Sequence, residues 1–394
     1  MQTFDHLHFF QSATRNTAVA LPFALEKFVE DWSRLRSRMI REMPSAFSRD
    51  EWAYLVTFLS PENLLSPFEQ SFGKSAAVQS AVSNSLARPR GPVAVWLPSN
   101  VSLLGPLMLV LLSLTGNPIR LKGGTEAEDL TGVFLKFARD HVSPGPLQTY
   151  LAEQVQHDVF TRNDPRNLEM AKLAQIRIVF GSDAAAEAIH SMPRPVESAG
   201  YSFVDRRSEA WIEGSCASDG VLRNLLKVFA IYGQTGCTSP RRVILLGASI
   251  REAVSVRDRL LDLWPETITR PPAMHVASSN IMGSQWAAAL GWDAKLAARH
   301  GAVFASGEIS LPEFSAPMGL MIVPATLEET MAVLPRNIQT IGHAFANPAD
   351  PAWLRVIAHT RIKRLVPIAA MHHFGPVWDG QAFWRECFEE TPLY

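Results

Sequence analysis

The sequence predicts an α/β protein of two parallel-sheet, Rossmann-like domains preceded by a helical segment. Two observations carry this. Short apolar strand patterns alternate with helical ones in two separate series, one from residue 89 and one from residue 221, as parallel sheets require. The chain also has 394 residues, more than a single core usually serves.

Residues 1–88 read as helical. Leu25, Phe28, Val29, Trp32, Leu35 and Met39 recur at helical spacing, with Glu26, Lys27, Asp31, Arg34 and Arg38 between them. In the first alternating series, Val93–Leu97 is a strand, and the apolar run Val101–Leu114 is a buried helix. Pro118–Leu121 is a second strand after the turn Thr115-Gly116-Asn117. Glu126–His141 is a helix with Leu130, Val133, Phe134 and Phe137 on one face. Ile176–Phe180 is a strand, and Gly181-Ser182-Asp183 opens a helix to His190. The second series has a helix at Val221–Ile231, a strand at Val243–Leu246 and helices at Ser249–Leu263 and Ser284–Ala298. The strand Leu320–Val323, the helix Leu327–Val333 and the strand Gln339–His343 complete it.

The expected organisation is therefore a helical segment over 1–88, one α/β domain over 89–230 and a second over 231–345. A C-terminal segment, 346–394, is expected to pack back on the first α/β domain, since it carries Phe374, Trp378, Phe383 and Trp384.

Apolar residues make up 47% of the chain and charged residues 19%, a composition able to fill large cores. The net charge of −1 gives no reason to expect nucleic acid as a partner. Val101–Leu114 is shorter than the ~20 residues of a membrane span, and it contains Gly105 and Pro106. The start, MQTFDHLHFF, lacks a basic region followed by an apolar one, so no secretory signal is expected. Cys216, Cys237 and Cys387 are too few and too odd in number for a disulfide framework, which points to the cytoplasm.

Several familiar motifs fail. Gly73-Lys74-Ser75 resembles the end of a P-loop, but Phe68 stands where glycine is required. There is no G-x-G-x-x-G, no H-E-x-x-H, no paired C-x-x-C and no G-x-S-x-G. His6/His8 and His372/His373 are close pairs without further ligands in view, so no metal site is expected.

The loop Gly233-Gln234-Thr235-Gly236-Cys237-Thr238-Ser239-Pro240 places a cysteine among small residues between a helix and a strand. Small neighbours leave room for a substrate, and loop N–H groups can stabilise a thiolate or an oxyanion. Taken alone, the loop equally fits a cysteine that serves as a small buried hydrophobe.

GQTGCTSPRR resembles the G-Q-x-C-x-x-x-R region of aldehyde dehydrogenases, and more closely the G-C-x-S-P form of the bioluminescence-type acyl-CoA reductases, the LuxC family. Four further segments match in order: Gly91-Pro92-Val93 through Asn100-Val101, Gly116-Asn117-Pro118-Ile119-Arg120-Leu121-Lys122, Ile178-Val179-Phe180-Gly181-Ser182-Asp183, and Glu313-Phe314-Ser315-Ala316-Pro317. The resemblance covers roughly 90–345 and implies an aldehyde-dehydrogenase-like fold, in which 89–230 would be the nucleotide-binding domain and 231–345 the catalytic cysteine domain.

It also implies a reaction, the reduction of an acyl thioester to an aldehyde through an acyl-cysteine at Cys237. Asn100 and the Cys237 backbone N–H would stabilise the oxyanion. Lys122 would reach the cofactor ribose, Gly181 and Ser182 would meet a phosphate at a helix start, and Glu313 would hold the nicotinamide ribose. NAD-preferring relatives often carry Glu where this chain has Thr125, so NADPH is expected over NADH. The family further implies an acyl-CoA or an acyl-carrier or acyl-protein synthetase partner, and a homo-oligomer.

Two departures bear on function. The E-L-G-G-K base segment of aldehyde-oxidising relatives is missing, and Glu197-Ser198-Ala199-Gly200-Tyr201 is only a distant echo. The His-Asp-Gly of the bioluminescence reductases is replaced by Trp378-Asp379-Gly380. An oxidative aldehyde dehydrogenase and a non-catalytic acyl-binding subunit are the competing readings.

Overall fold

A computed structural model describes residues 17–393 except 74–84, 127, 205, 270, 299–300, 312–313 and 315. The chain divides into two compact units. Described residues 17–204 and 374–393 form one, and 206–373 the other.

The first unit begins with β1 (Thr17–Val19) and the helices α1 (Leu25–Arg41), α2 (Arg49–Phe58) and α3 (Pro61–Phe72). The apolar stripe read in the sequence is the buried face of α1: Phe28, Val29, Trp32, Leu35 and Met39 are all buried. After β2 (Ser85–Pro89) the α/β alternation starts with β3 (Val93–Trp96), α4 (Leu104–Ser113), β4 (Ile119–Gly123) and α5 (Leu130–His141). It continues through α6 (Pro146–Glu153), β5 (Val155–Val159), α7 (Arg166–Leu173), β6 (Ile176–Gly181), α8 (Asp183–His190) and β7 (Ala199–Val204). The sheet order is β5-β4-β3-β6-β7, with every pair parallel.

Every residue of α4 from Gly105 to Ser113 is buried. A helix apolar on all sides is stable only inside a core, and Pro106 is tolerated because it lies in the first turn, where its missing N–H has no intrahelical partner anyway. The last residues return to this unit as β15 (Phe388–Pro392), which closes a three-stranded sheet, β1-β2-β15. Asn117 Nδ2 donates to the Cys387 carbonyl at 2.9 Å and Trp384 Nε1 to that of Leu111 at 2.8 Å, so the tail is pinned by buried polar contacts as well as by its aromatics.

The second unit is a seven-stranded sheet, β10-β11-β12-β9-β8-β13-β14, parallel except for the β10–β11 pair. Its elements are β8 (Arg207–Glu213), α9 (Asp219–Ala230), β9 (Pro240–Leu246), α10 (Ile250–Thr267), α11 (Met274–Ala289), β10 (Asp293–Leu296), β11 (Ala302–Ala305), β12 (Gly319–Ala325), α12 (Leu327–Ala332), β13 (Ile338–Ala344), α13 (Pro351–Ala358) and β14 (Arg364–Pro367). Alternate residues feed opposite faces. Ala210, Ile212, Val243, Leu245, Leu320 and Ile322 join α9 and α10 in one core, while Trp211, Ile244, Met321 and Val323 join a second. Burial on both faces explains why these strands read as continuous apolar runs.

The chain passes between units ahead of β8, not at residue 230, because β8 is hydrogen-bonded between β9 and β13. Residues 346–373 likewise stay with the seven-stranded unit, and only 374 onward joins the other. The expected helix Ser284–Ala298 ends at Ala289: Gly291 has a positive φ of 78°, and Asp293–Leu296 turns into the edge strand β10. Among the described residues no helix is long and apolar enough to cross a membrane.

Candidate active site

Cys237 lies in the seven-stranded unit, on the connection from α9 to β9. The connection is a chain of tight turns: Gly233 N–H donates to the Ala230 carbonyl, Thr235 N–H to that of Tyr232 and Ser239 N–H to that of Gly236. Gly233 and Gln234 both hold left-handed backbone, at φ 56° and 61°. Glycine takes this freely, but for glutamine it is sterically unfavourable. The side chain of Gln234 explains why it is held: it is buried, and its Nε2 donates to the carbonyls of Pro240 at 3.2 Å and Gly319 at 2.7 Å, at the starts of β9 and β12.

Burial then alternates along the loop. Gln234, Gly236 and Thr238 face inward, and Gly233, Thr235 and Cys237 face solvent. The Cys237 carbonyl accepts from Ser208 Oγ at 2.7 Å. The next residue, Thr238, meets Nδ1 of the buried His372 at 2.6 Å, and His372 Nε2 lies 2.6 Å from the Val228 carbonyl. A carbonyl only accepts, so Nε2 carries the hydrogen, Nδ1 accepts, and the Thr238 hydroxyl donates. Burial pushes the His372 imidazole down to about 4, so it is neutral at physiological pH.

The other cysteines differ. Cys387 is fully buried, its Sγ sits 3.4 Å from the Phe383 carbonyl, and burial pushes its thiol well above the usual range. Cys216 is half-buried in a short turn after β8. Cys237 is the exposed thiol of the three.

The remaining expected residues lie in the five-stranded unit. In a parallel sheet, ligands gather at the carboxyl ends of the strands. Asn100 follows the end of β3 and is exposed. Lys122 is near the end of β4, in register with Trp96 of β3 and Asp158 of β5. Thr125 and Glu126 are exposed in the turn that follows. Gly181 ends β6, and Ser182 caps α8 by accepting from the Ala185 N–H at 3.2 Å. The sheet thus brings Asn100, Lys122, Thr125, Gly181 and Ser182 to one edge. Glu313 lies outside the described residues.

A small crevice on that edge is lined by Leu97, Pro98, Val101, Gly123, Gly124 and Asp129. A Cβ on Gly124 would fall 2.4 Å from Ser99 Oγ, so the turns after β3 and β4 close on each other only because this position is glycine. Asp129 caps α5 and lies 2.7 Å from His157 Nε2, which holds its carboxylate below the usual range. Lys122 Nζ is 5.7 Å from the centre of the Phe160 ring, and partial burial lowers its pKa. The Arg166 guanidinium also lies over that ring, at 4.3 Å, but is already paired with Asp164 at 2.8 Å.

Glu197 is elsewhere. It is exposed ahead of the first residue of β7, at the amino edge of the same parallel sheet. Six strand residues at ~3.3 Å each, roughly 20 Å, separate it from the edge that carries Lys122 and Ser182. Trp378-Asp379-Gly380 forms a two-residue hairpin turn: Asp379 and Gly380 have φ of 50° and 72°, and Trp378 and Gln381 exchange backbone hydrogen bonds. Asp-Gly is the favoured pair for such a turn, and Trp378 packs on Phe374 at 4.8 Å. Ser208 and His372 carry no local mark in the sequence as partners of this loop, since they lie 29 residues before Cys237 and 134 after Thr238.

The fold matches solved structures of low identity. An oxidoreductase from Marinobacter aquaeolei superposes with a TM-score of 0.67 at 13% identity, covering 95% of this chain and 87% of its own. Aldehyde dehydrogenase 21 from Physcomitrella patens gives 0.66 at 12%, covering 94% and 85%. An NAD-dependent aldehyde dehydrogenase from Sinorhizobium meliloti gives 0.64 at 11%, covering 94% and 82%. No curated protein matches the sequence. The fold is therefore aldehyde-dehydrogenase-like. The family model described as acyl-CoA reductase (LuxC) matches residues 21–383, nearly the whole chain, and the chain belongs to that oxidoreductase family.

Proposed function

We propose that this chain reduces an acyl thioester, delivered as acyl-CoA or on an acyl-carrying protein, to the aldehyde, with Cys237 as the nucleophile and NADPH as the reductant. The observation that carries the reading is an exposed thiol on a loop whose neighbouring groups are tied down. Pinned backbone with a solvent-facing side chain holds a nucleophile in place without blocking its approach.

The Cys237 thiolate attacks the thioester carbonyl carbon. A new C–S bond forms as the carbonyl electrons move to oxygen, and the collapse of that oxyanion breaks the old C–S bond and expels the carrier thiolate. The product is an acyl group on Cys237. A bound nicotinamide cofactor supplies the hydride. The resulting hemithioacetal anion breaks its bond to Cys237 Sγ, which leaves as thiolate while the aldehyde departs. Asn100 and the Cys237 N–H would donate to the oxyanion in both collapses.

The carboxyl edge of the five-stranded sheet fits a nicotinamide dinucleotide. Lys122 has no carboxylate at ion-pair distance among the described residues, and the turns after β3 and β4 meet closely at Gly124, two residues on. Lys122 and Thr125 would hold the adenosine ribose and its 2′-phosphate, and Gly181 with Ser182 the pyrophosphate. Glu313 would hold the nicotinamide ribose. The missing E-L-G-G-K segment supports reduction over oxidation, because an oxidising enzyme needs a base to activate the water that releases acid.

The test is acylation without cofactor. Acyl-CoA alone should leave one acyl group on Cys237 by intact mass and peptide mapping, and NADPH should then release aldehyde. An adduct that persists in Cys237→Ala, or release of acid in place of aldehyde, would overturn the reading.

A further inference from the structure

The nucleophile loop leaves α9 at its carboxyl end and returns past Cys237 into β9. One imidazole spans that excursion. His372, 8% exposed and from the segment after β14, takes the Val228 carbonyl on one nitrogen and the Thr238 hydroxyl on the other, both at 2.6 Å. Val228 is in the last turn of α9, where carbonyls lack helical partners. Thr238 is the residue after the cysteine. The ring thus ties the departure of the loop to its return, and Tyr232 packs edge-on against it at 4.9 Å and 79°. Tyr232 also covers the loop itself: a Cβ on Gly236 would lie 3.1 Å from its ring.

We propose that His372 is a positioning residue for Cys237, acting through the Thr238 hydroxyl to fix the backbone on which the thiol is carried. This rests on Cys237 being the nucleophile. The geometry gives each contact a separate function. The Val228 contact closes the helix, and the Thr238 contact sets the Cys237–Thr238 peptide, whose carbonyl Ser208 holds from the other side at 2.7 Å. Burial keeps the imidazole neutral, which preserves the accepting nitrogen that Thr238 needs. His372 is therefore not a proton donor to substrate; its two nitrogens are already engaged.

Three single variants of the full chain and one double variant separate this role from bulk stability. Thr238→Val keeps the shape and removes the hydroxyl, Thr238→Ser restores it, and His372→Gln removes the ring nitrogen that accepts. The readouts are the single-turnover rate of Cys237 acylation by acyl-CoA, with kcat and KM for aldehyde formation. Thr238→Val and His372→Gln should each slow acylation and kcat about tenfold or more while KM stays within about threefold, because a displaced nucleophile loses reactivity and not substrate affinity. Thr238→Val combined with His372→Gln should be no slower than the slower single, since both remove one contact, and Thr238→Ser should match the parent. Acylation of Thr238→Val at the parent rate, or failure of serine to rescue, would overturn the positioning role while Cys237 remains the nucleophile. Should Thr238→Val not fold, His372→Gln compared with Thr238→Ser decides the same question: a slow glutamine variant beside a parent-like serine variant upholds the role, and equal rates overturn it. Absence of any Cys237 adduct in the parent would instead remove the nucleophile assignment, and this role with it.

Discussion

Ser208 donates its hydroxyl to the carbonyl oxygen of Cys237 at 2.7 Å, from the first residues of the neighbouring strand β8. Gln234 reaches past the same loop to two carbonyls at the starts of β9 and β12. The two contacts differ in what their loss strands. The Cys237 carbonyl belongs to an exposed residue, where water can substitute, whereas Gln234 and the residues it binds are buried. Ser208→Ala should therefore cost about 1 kcal/mol of stability, the net worth of an ordinary hydrogen bond. Gln234→Ala should cost more, ~1–3 kcal/mol for each carbonyl left without a partner. Denaturant midpoints of the two variants check the order, and a Ser208→Ala loss larger than that of Gln234→Ala would contradict it.

The acid dependence of stability follows from His372. Its imidazole titrates at about 4 in the folded chain against an ordinary 6.5, and burial is the largest cause. Between those values the unfolded chain binds more protons, so folding is weakened as pH falls from 6.5 toward 4 and is unaffected above that window. At pH 5 the loss is about 2 kcal/mol for this one group. His190, His343 and His373 are also lowered, so the comparison must be with His372→Gln, which keeps the others. Between pH 7 and pH 5 the parent should lose about 2 kcal/mol more than the variant; equal losses would show that His372 does not titrate as described.

Much of this fold is legible in the sequence where one element reports on itself. Val93–Trp96, the apolar α4 and Ile176–Gly181 with the Ser182 cap are visible because burial on all sides, or a capping residue before a helix, leaves a local mark. The edge strand β10 is not, since Asp293–Leu296 is mostly exposed and follows an alanine-rich helix. Only Gly291, with its left-handed backbone, marks the break. The division before β8 is hidden because it depends on which strands pair, and β8 pairs with β9 and β13, far along the chain. The same holds for the loop that carries Cys237. Its cysteine and small residues are local, while Ser208 and His372 enter only through tertiary pairing.

Asn100 is the residue whose part is most sharply testable by rate. It stands on the turn after β3, at the carboxyl edge of the sheet. If its amide donates to the oxyanion, Asn100→Ala should lower kcat on the order of 10²–10³. Cofactor affinity should be unchanged, because the charge it meets exists only during the chemistry. Equilibrium binding of NADPH by fluorescence, measured beside kcat, distinguishes this from a residue that merely shapes the turn; an unchanged kcat would assign Asn100 to the turn alone.

In the proposed site, the choice between NADPH and NADH would turn on the residues around the end of β4. Lys122 is partly buried and its ammonium lies over the face of Phe160, while Arg166 on the same ring is already neutralised by Asp164. A 2′-phosphate beside Lys122 would meet a cation with no carboxylate at ion-pair distance among the described residues. Three residues on, Thr125 is exposed and can donate a hydrogen bond where a carboxylate would repel. Such a charge-assisted contact is worth roughly 1.5–3 kcal/mol, about ten- to a hundredfold in affinity. The parent should therefore prefer NADPH in kcat/KM, and Thr125→Glu should lose or invert that preference. Glu126 is the internal control. It is exposed in the same turn, so if it rather than Thr125 faces the ribose, the parent will prefer NADH and Glu126→Thr will restore NADPH. Four measurements of kcat/KM, two cofactors with the parent and with Thr125→Glu, decide between the two registers, and a parent that favours NADH refutes the assignment of Thr125.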